Sequence, residues 1–98
     1  MNQELATKRL SELGHSTRLS IFRLAVKAGE KGLPVGAIQE ELGASASTLS
    51  HHIHRLVAVG LIEQQRDGRI LNCVANLSAI REVMAFLESE CCTQLYFK

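Results

Sequence analysis

The residues of this 98-residue chain that can do chemistry fall into three groups. The first is thiol: Cys73 alone, and Cys91 beside Cys92. Three cysteines cannot all pair within one chain, and sequence neighbours bridge only with strain. A disulfide framework is therefore disfavoured, while thiol reactivity or metal capture stays open. The second group is a run of hydroxyls and imidazoles, Ser45, Ser47, Thr48, Ser50, His51, His52 and His54, closed by Arg55 and free of acids. Such side chains hydrogen-bond to phosphates and to base edges. The third is Arg66 and Arg69, on either side of Asp67-Gly68. The histidines lack the i, i+4 spacing of a helical metal pair, and no nucleophile motif or phosphate-cradling glycine loop accompanies them. An enzyme is not the expectation.

Composition bounds what can position these groups. The chain is 46% hydrophobic and 21% charged, as in a folded soluble domain, and holds no long uncharged apolar run that would cross a membrane. No secretory signal opens it, so a reducing cytoplasmic location is expected. A net charge of +1 does not announce nucleic-acid binding, so the placement of charge must decide. A chain this short buries too little apolar surface to be generously stable alone, which makes dimerisation an expectation from size.

Along the chain, Leu5, Leu10 and Leu13 predict a short amphipathic helix over Glu4 to Leu13, stopped by Gly14. Ser16 or Thr17 can cap a second helix, whose apolar face runs from Leu19 through Ile21, Phe22 and Leu24 to Val26. After the turn at Gly29-Glu30-Lys31-Gly32-Leu33, Pro34 suits the first turn of a helix over Val35 to Leu42, and Gly43 closes it as a left-handed cap. Ser45 or Ser47 starts the next helix, with Leu49, Ile53, Leu56 and Val57 on one face. From Leu61 the period changes to two. Asp67-Gly68 between two alternating runs signals a hairpin, with Cys73 at a buried strand position. A last helix begins at Leu77 or Ser78, carries Ile80, Val83, Met84 and Leu87, and ends near Glu90. The predicted fold is mainly α with a small β-hairpin, in the order α-α-α-α-β-β-α: a winged helix-turn-helix.

In such a fold the segment from Val35 to Val59 drives its second helix into a major groove while the first braces the backbone. With Leu49, Ile53 and Leu56 inward, Ser47, Thr48, Ser50, His51, His54 and Arg55 are left on or near the outer face beside Ser45. Arg66 and Arg69 at the hairpin tip form a wing that reaches flanking phosphates or the minor groove. A winged helix used only for protein contacts is the rival reading.

Gly14-His15-Ser16-Thr17-Arg18-Leu19-Ser20-Ile21-Phe22, the run Ser45 to Leu56, Gly60-Leu61-Ile62 and Arg66-Asp67-Gly68-Arg69 together resemble the ArsR/SmtB family over nearly the whole chain. The resemblance implies a homodimer built through the first and last helices, and a repressor that leaves double-stranded operator DNA when an inducer binds. It also implies that His52, at the recurrent position of the family's Ser-x-His-Leu pattern, is a partly buried structural residue, with His51 and His54 the better DNA contacts. Residues 1–92 then make one DNA-binding and dimerisation domain, and 93–98 a short tail.

The family's members differ in their sensing sites, and most of those sites are missing here. The Cys-Val-Cys of the founding arsenic and cadmium sensors is replaced by Leu33-Pro34-Val35-Gly36-Ala37, the last helix has no His for zinc, and the second helix has no Cys for a redox pair. What remains is Cys91-Cys92, similar to the vicinal pair of members that bind trivalent arsenic or antimony. As(III) or Sb(III) is accordingly the expected inducer, at Cys91 and Cys92, with no organic cofactor. A third thiolate would come from Cys73, from a downstream cysteine that this sequence lacks, or from a small-molecule thiol. Glu88 and Glu90 are expected to raise the thiol pKa values. The alternative is the same repressor sensing redox state, reactive sulfur or another ligand.

Overall fold

In the computed structural model, residues 1–94 are described. Helix α1 spans Gln3–Leu13, with the Asn2 side chain accepting the Leu5 N–H, and α2 spans Ser16–Ala28. The α2 cap is His15, whose Nδ1 accepts the Thr17 N–H at 3.2 Å, and not Ser16 or Thr17, which already lie inside the helix. A 3₁₀ turn over Gly29–Lys31 leads to β1 (Leu33–Pro34), then α3 (Val35–Leu42) and α4 (Ala46–Ala58). Gly43 ends α3 at φ 68° and ψ 17°, the left-handed cap expected of it. Strands β2 (Ile62–Asp67) and β3 (Ile70–Ala75) precede α5 (Leu77–Glu88), which Asn76 caps by accepting the Ala79 N–H.

The hairpin is joined by a third strand. Leu33 pairs with Cys73 and Pro34 with Asn72, giving an antiparallel sheet of order β1-β3-β2. Two residues carry no periodicity, and proline pairs only at a sheet edge, so this strand leaves little trace in sequence. Pro34 accordingly precedes α3 as its N-cap and is not in its first turn. Gly32 permits the close approach: it sits at φ 67°, and a Cβ there would lie 2.5 Å from the Cys73 carbonyl oxygen.

The core gathers Ile21, Phe22 and Ala25 of α2, Ile38 of α3, Leu49, Ile53 and Leu56 of α4, and Leu61, Ile62, Cys73 and Ala79, all buried. Each large side chain so buried contributes roughly 1.5–3 kcal/mol. Helix α2 packs on α1, α3, α4 and β3, and so forms the hub on which α4 is set. Helix α5 ends at Glu88, close to the expected end near Glu90, which places Cys91 and Cys92 in turns beyond the helix. Of the expected tail, 93–98, residues 95–98 lie outside the described residues. Among the described residues, no helix is long and apolar enough to cross a membrane.

Candidate DNA interface and thiol pair

Helix α4 starts from Ser45, whose Oγ accepts the Thr48 N–H at 3.3 Å and donates to Thr48 Oγ1 at 2.8 Å. The buried Leu49, Ile53 and Leu56 then fix which face turns outward. Ser47, Thr48, Ser50, His51 and His54 are exposed on that face, together as the sequence predicts. Their hydroxyls and rings form a compact polar ridge with no carboxylate among them.

Arg55 is placed differently. Its Nε and Nη2 grip the carboxylate of Glu12 on α1 at 2.8–3.0 Å, leaving the arginine side chain 47% and the glutamate side chain 9% exposed. The guanidinium holds the Glu12 carboxyl below the usual carboxylate range. His52 is buried: Arg18 donates to its Nδ1 at 3.1 Å, which puts the neutral ring's proton on Nε2. Desolvation pushes its pKa down, and His15, with ring centroids 4.6 Å apart, adds to that. His52 is thus structural, as the resemblance implies.

At the wing, Asp67 pairs with Ile70, so the two turn residues are Gly68 and Arg69 and not Asp67-Gly68. Gly68 has φ 62°, the positive angle that suits glycine in the first central position of a type II′ turn. Arg69 consequently sits at the tip itself, and Arg66, paired with Leu71, stands on the flanking strand; both are exposed.

The thiols separate. Cys73 is fully buried in β3, and burial pushes its thiol up. Cys91 and Cys92 are exposed, with sulfurs 3.0 Å apart, and Glu90 and Cys92 take left-handed φ angles of 61° and 63° that curl the segment back on itself. The Cys91 thiol is raised above its ordinary value by its hydrogen bond to Cys92, not by Glu88 or Glu90 as the sequence suggests. Among the described residues, no group of three or more His, Cys, Asp or Glu side chains is gathered to hold a metal, so the pair has no third protein ligand there.

Sequence reasoning misses Arg9 and Glu12. Both interrupt the apolar stripe Leu5, Ala6 and Leu13 of α1, and charge within a core-facing stripe is the signal that marks them.

Residues 13–65 match the family described as a helix-turn-helix domain. The HTH-type transcriptional regulator YgaV of Escherichia coli (strain K12) is 36% identical over 90 residues, covering 91% of this chain and 88% of its own length. Among solved structures, an ArsR-like transcriptional regulator from Rhodococcus sp. RHA1 superposes with a TM-score of 0.74 at 20% identity, covering 87% of this chain and 77% of that one. The homodimeric winged helix-turn-helix DNA-binding domain of Mb0332 from Mycobacterium bovis, described as a possible ArsR-family regulator, gives a TM-score of 0.70 at 18% identity, covering 97% and 87%. Sequence match, helix order and wing agree: the chain belongs to the ArsR/SmtB family of winged helix-turn-helix proteins, which are DNA-binding transcriptional regulators and not enzymes.

Proposed function

We propose that the protein is a homodimeric repressor that leaves its operator when trivalent arsenic or antimony binds Cys91 and Cys92. The observation that carries this reading is the exposed pair of sulfurs 3.0 Å apart just beyond α5. Two sulfurs at that separation subtend about 80° at an ion ~2.3 Å from each. That angle suits the pyramid of a three-coordinate thiophilic ion better than the tetrahedron zinc prefers. With Cys73 sealed in the core, a small-molecule thiol supplies the third ligand.

The dimer reading is supported by apolar side chains left exposed on the first and last helices: Leu10 on α1, and Leu77, Met84 and Leu87 on α5, the last 63% exposed. The Mb0332 domain described above is itself homodimeric. In such a dimer each α4 enters a major groove. Ser47, Thr48, Ser50, His51 and His54 face base edges and phosphates, Ser45 holds the start of the helix, and Arg66 and Arg69 follow the flanking backbone. Two half-sites one helical turn apart tolerate little change in the spacing of the reading helices. An ion that ties down the end of an interface helix releases DNA if it binds the low-affinity geometry more tightly than the DNA-bound one.

The test is fluorescence anisotropy with a labelled duplex that the wild-type protein selects from a random-sequence library. The reduced protein is titrated with arsenite, and in parallel with zinc and with an oxidant. Release by arsenite in the wild type, and none in Cys91→Ser/Cys92→Ser, is the expected outcome. Release by the oxidant alone would replace metalloid sensing with redox sensing, and indifference to all three would remove the thiol pair from the signal.

A further inference from the structure

Helix α1 holds α4 through two charged side chains on one face, Arg9 and Glu12. Arg9 donates from Nε to the carbonyl of Val59, the residue that caps the C-terminal end of α4, at 2.9 Å. Its Nη1 reaches the Ala79 carbonyl of α5 at 3.3 Å and Glu82 at 3.5 Å, and the side chain is only 11% exposed. One turn further along α1, Glu12 takes three contacts from Arg55. The backbone carbonyl of Glu12 also accepts from Arg18 Nε at 2.7 Å, and Arg18 in turn holds His52. Arg55 and His52 of α4 are thereby tied to α1 and to the start of α2.

This arrangement bears on what Arg55 does. Glu12 occupies the Nε–Nη2 edge of the guanidinium, the edge that makes a side-on bidentate contact. Drawing Arg55 away towards a phosphate would strand a carboxylate whose side chain is 9% exposed. The penalty for an uncompensated buried charge exceeds the return from one solvent-exposed phosphate contact. We infer that Glu12 is a positioning residue for DNA recognition: it fixes the roll of α4 by holding Arg55, so that Arg55 acts on operator affinity through α1 and not through a phosphate. The inference rests on the reading of α4 as the recognition helix.

A double-mutant cycle on DNA binding tests it, using the duplex selected from a random-sequence library, a scrambled duplex of equal length, and a thermal melt of each sample to set a temperature at which every variant is folded. Glu12→Gln and Arg55→Gln should each weaken binding to the selected duplex about tenfold. The double variant should be no weaker than either single one. Binding to the scrambled duplex should not weaken, so the specificity ratio falls, and the dependence of log K on log salt for Arg55→Gln should keep the wild-type slope. Additive losses, with that slope shallower by one phosphate contact, would overturn the inference. Arg55→Lys gives a second reading if Glu12→Gln unfolds, because lysine keeps the charge but cannot make the fork. A loss equal to that of Arg55→Gln supports positioning, and near-wild-type binding contradicts it. Failure of the wild type to bind any selected duplex would overturn the DNA-reading assignment of α4 itself, a result distinct from additivity.

Discussion

The DNA-reading half and the end of α5 are built on opposite terms. Helix α4 is fixed from within by Leu49, Ile53 and Leu56, from the side by Glu12, and at its C-terminal end by Arg9. Cys91 and Cys92 lie past the last helical turn, exposed, and among the described residues are held by each other and the local turn. A surface that presents several groups to DNA in fixed register needs a packed scaffold, whereas the proposed capture of a soft ion asks of this chain two sulfurs that can close on it, a small-molecule thiol completing the set. The first property is written into many residues and the second into two.

The contrast breaks most severely at the core of the reading half. Leu56→Ala removes a fully buried side chain of α4 and is expected to destabilise the protein by about 2–5 kcal/mol, read from denaturant unfolding. A loss below roughly 1 kcal/mol would mean that α4 is not seated as described. The next largest effect belongs to the wing. Arg66→Ala/Arg69→Ala should weaken DNA binding and make the slope of log K against log salt shallower by about 1.8, near 0.9 for each lost phosphate contact. A winged helix used only for protein contacts would show no such change.

Acid acts on the same half, because His52 lies in α4 and Glu12 beside it. Burial lowers the His52 pKa below its unfolded value of about 6.5, so just under that pH the unfolded chain takes up more protons than the folded one. Stability is complete above that pH and declines as pH falls through it. The depressed Glu12 carboxyl adds a second decline as pH drops through the unfolded carboxylate range. Thermal midpoints measured from pH 7.5 down to pH 4 should fall in that order, and a flat profile through pH 6 would contradict the buried, neutral His52. The smallest effect is expected at the thiols. Cys91→Ser/Cys92→Ser should leave the unfolding midpoint and ion-free DNA affinity within experimental scatter, since the pair is exposed and packs on nothing in the core.

The same contrast explains what the sequence reveals. Leu49, Ile53 and Leu56 recur at helical spacing after Ser45, and Asp67-Gly68 parts two alternating runs, so the reading helix and the wing are legible from local pattern alone. The turn slips by one residue, to Gly68-Arg69, because backbone pairing and not the dipeptide sets the register. Strand β1 escapes because Leu33-Pro34 is defined by distant partners on β3, Cys73 and Asn72. Glu12 and Arg55 are likewise 43 positions apart. A long-range ion pair has no local signature, and Arg55 therefore reads as one more exposed polar side chain on α4. Cys91-Cys92 is conspicuous as a dipeptide, but the sulfur separation and the end of α5 at Glu88 are matters of geometry.

In the proposed repressor, arsenite and DNA oppose each other through one dimer. Linkage requires the opposition to be reciprocal. The most direct measurement titrates arsenite, in the presence of a reduced small-molecule thiol, into the free protein and into the protein saturated with its selected duplex, following thiolate–arsenic absorbance. Arsenite should bind the DNA complex more weakly than the free protein, by the same factor that arsenite lowers DNA affinity. Equal arsenite affinity for the two would contradict it.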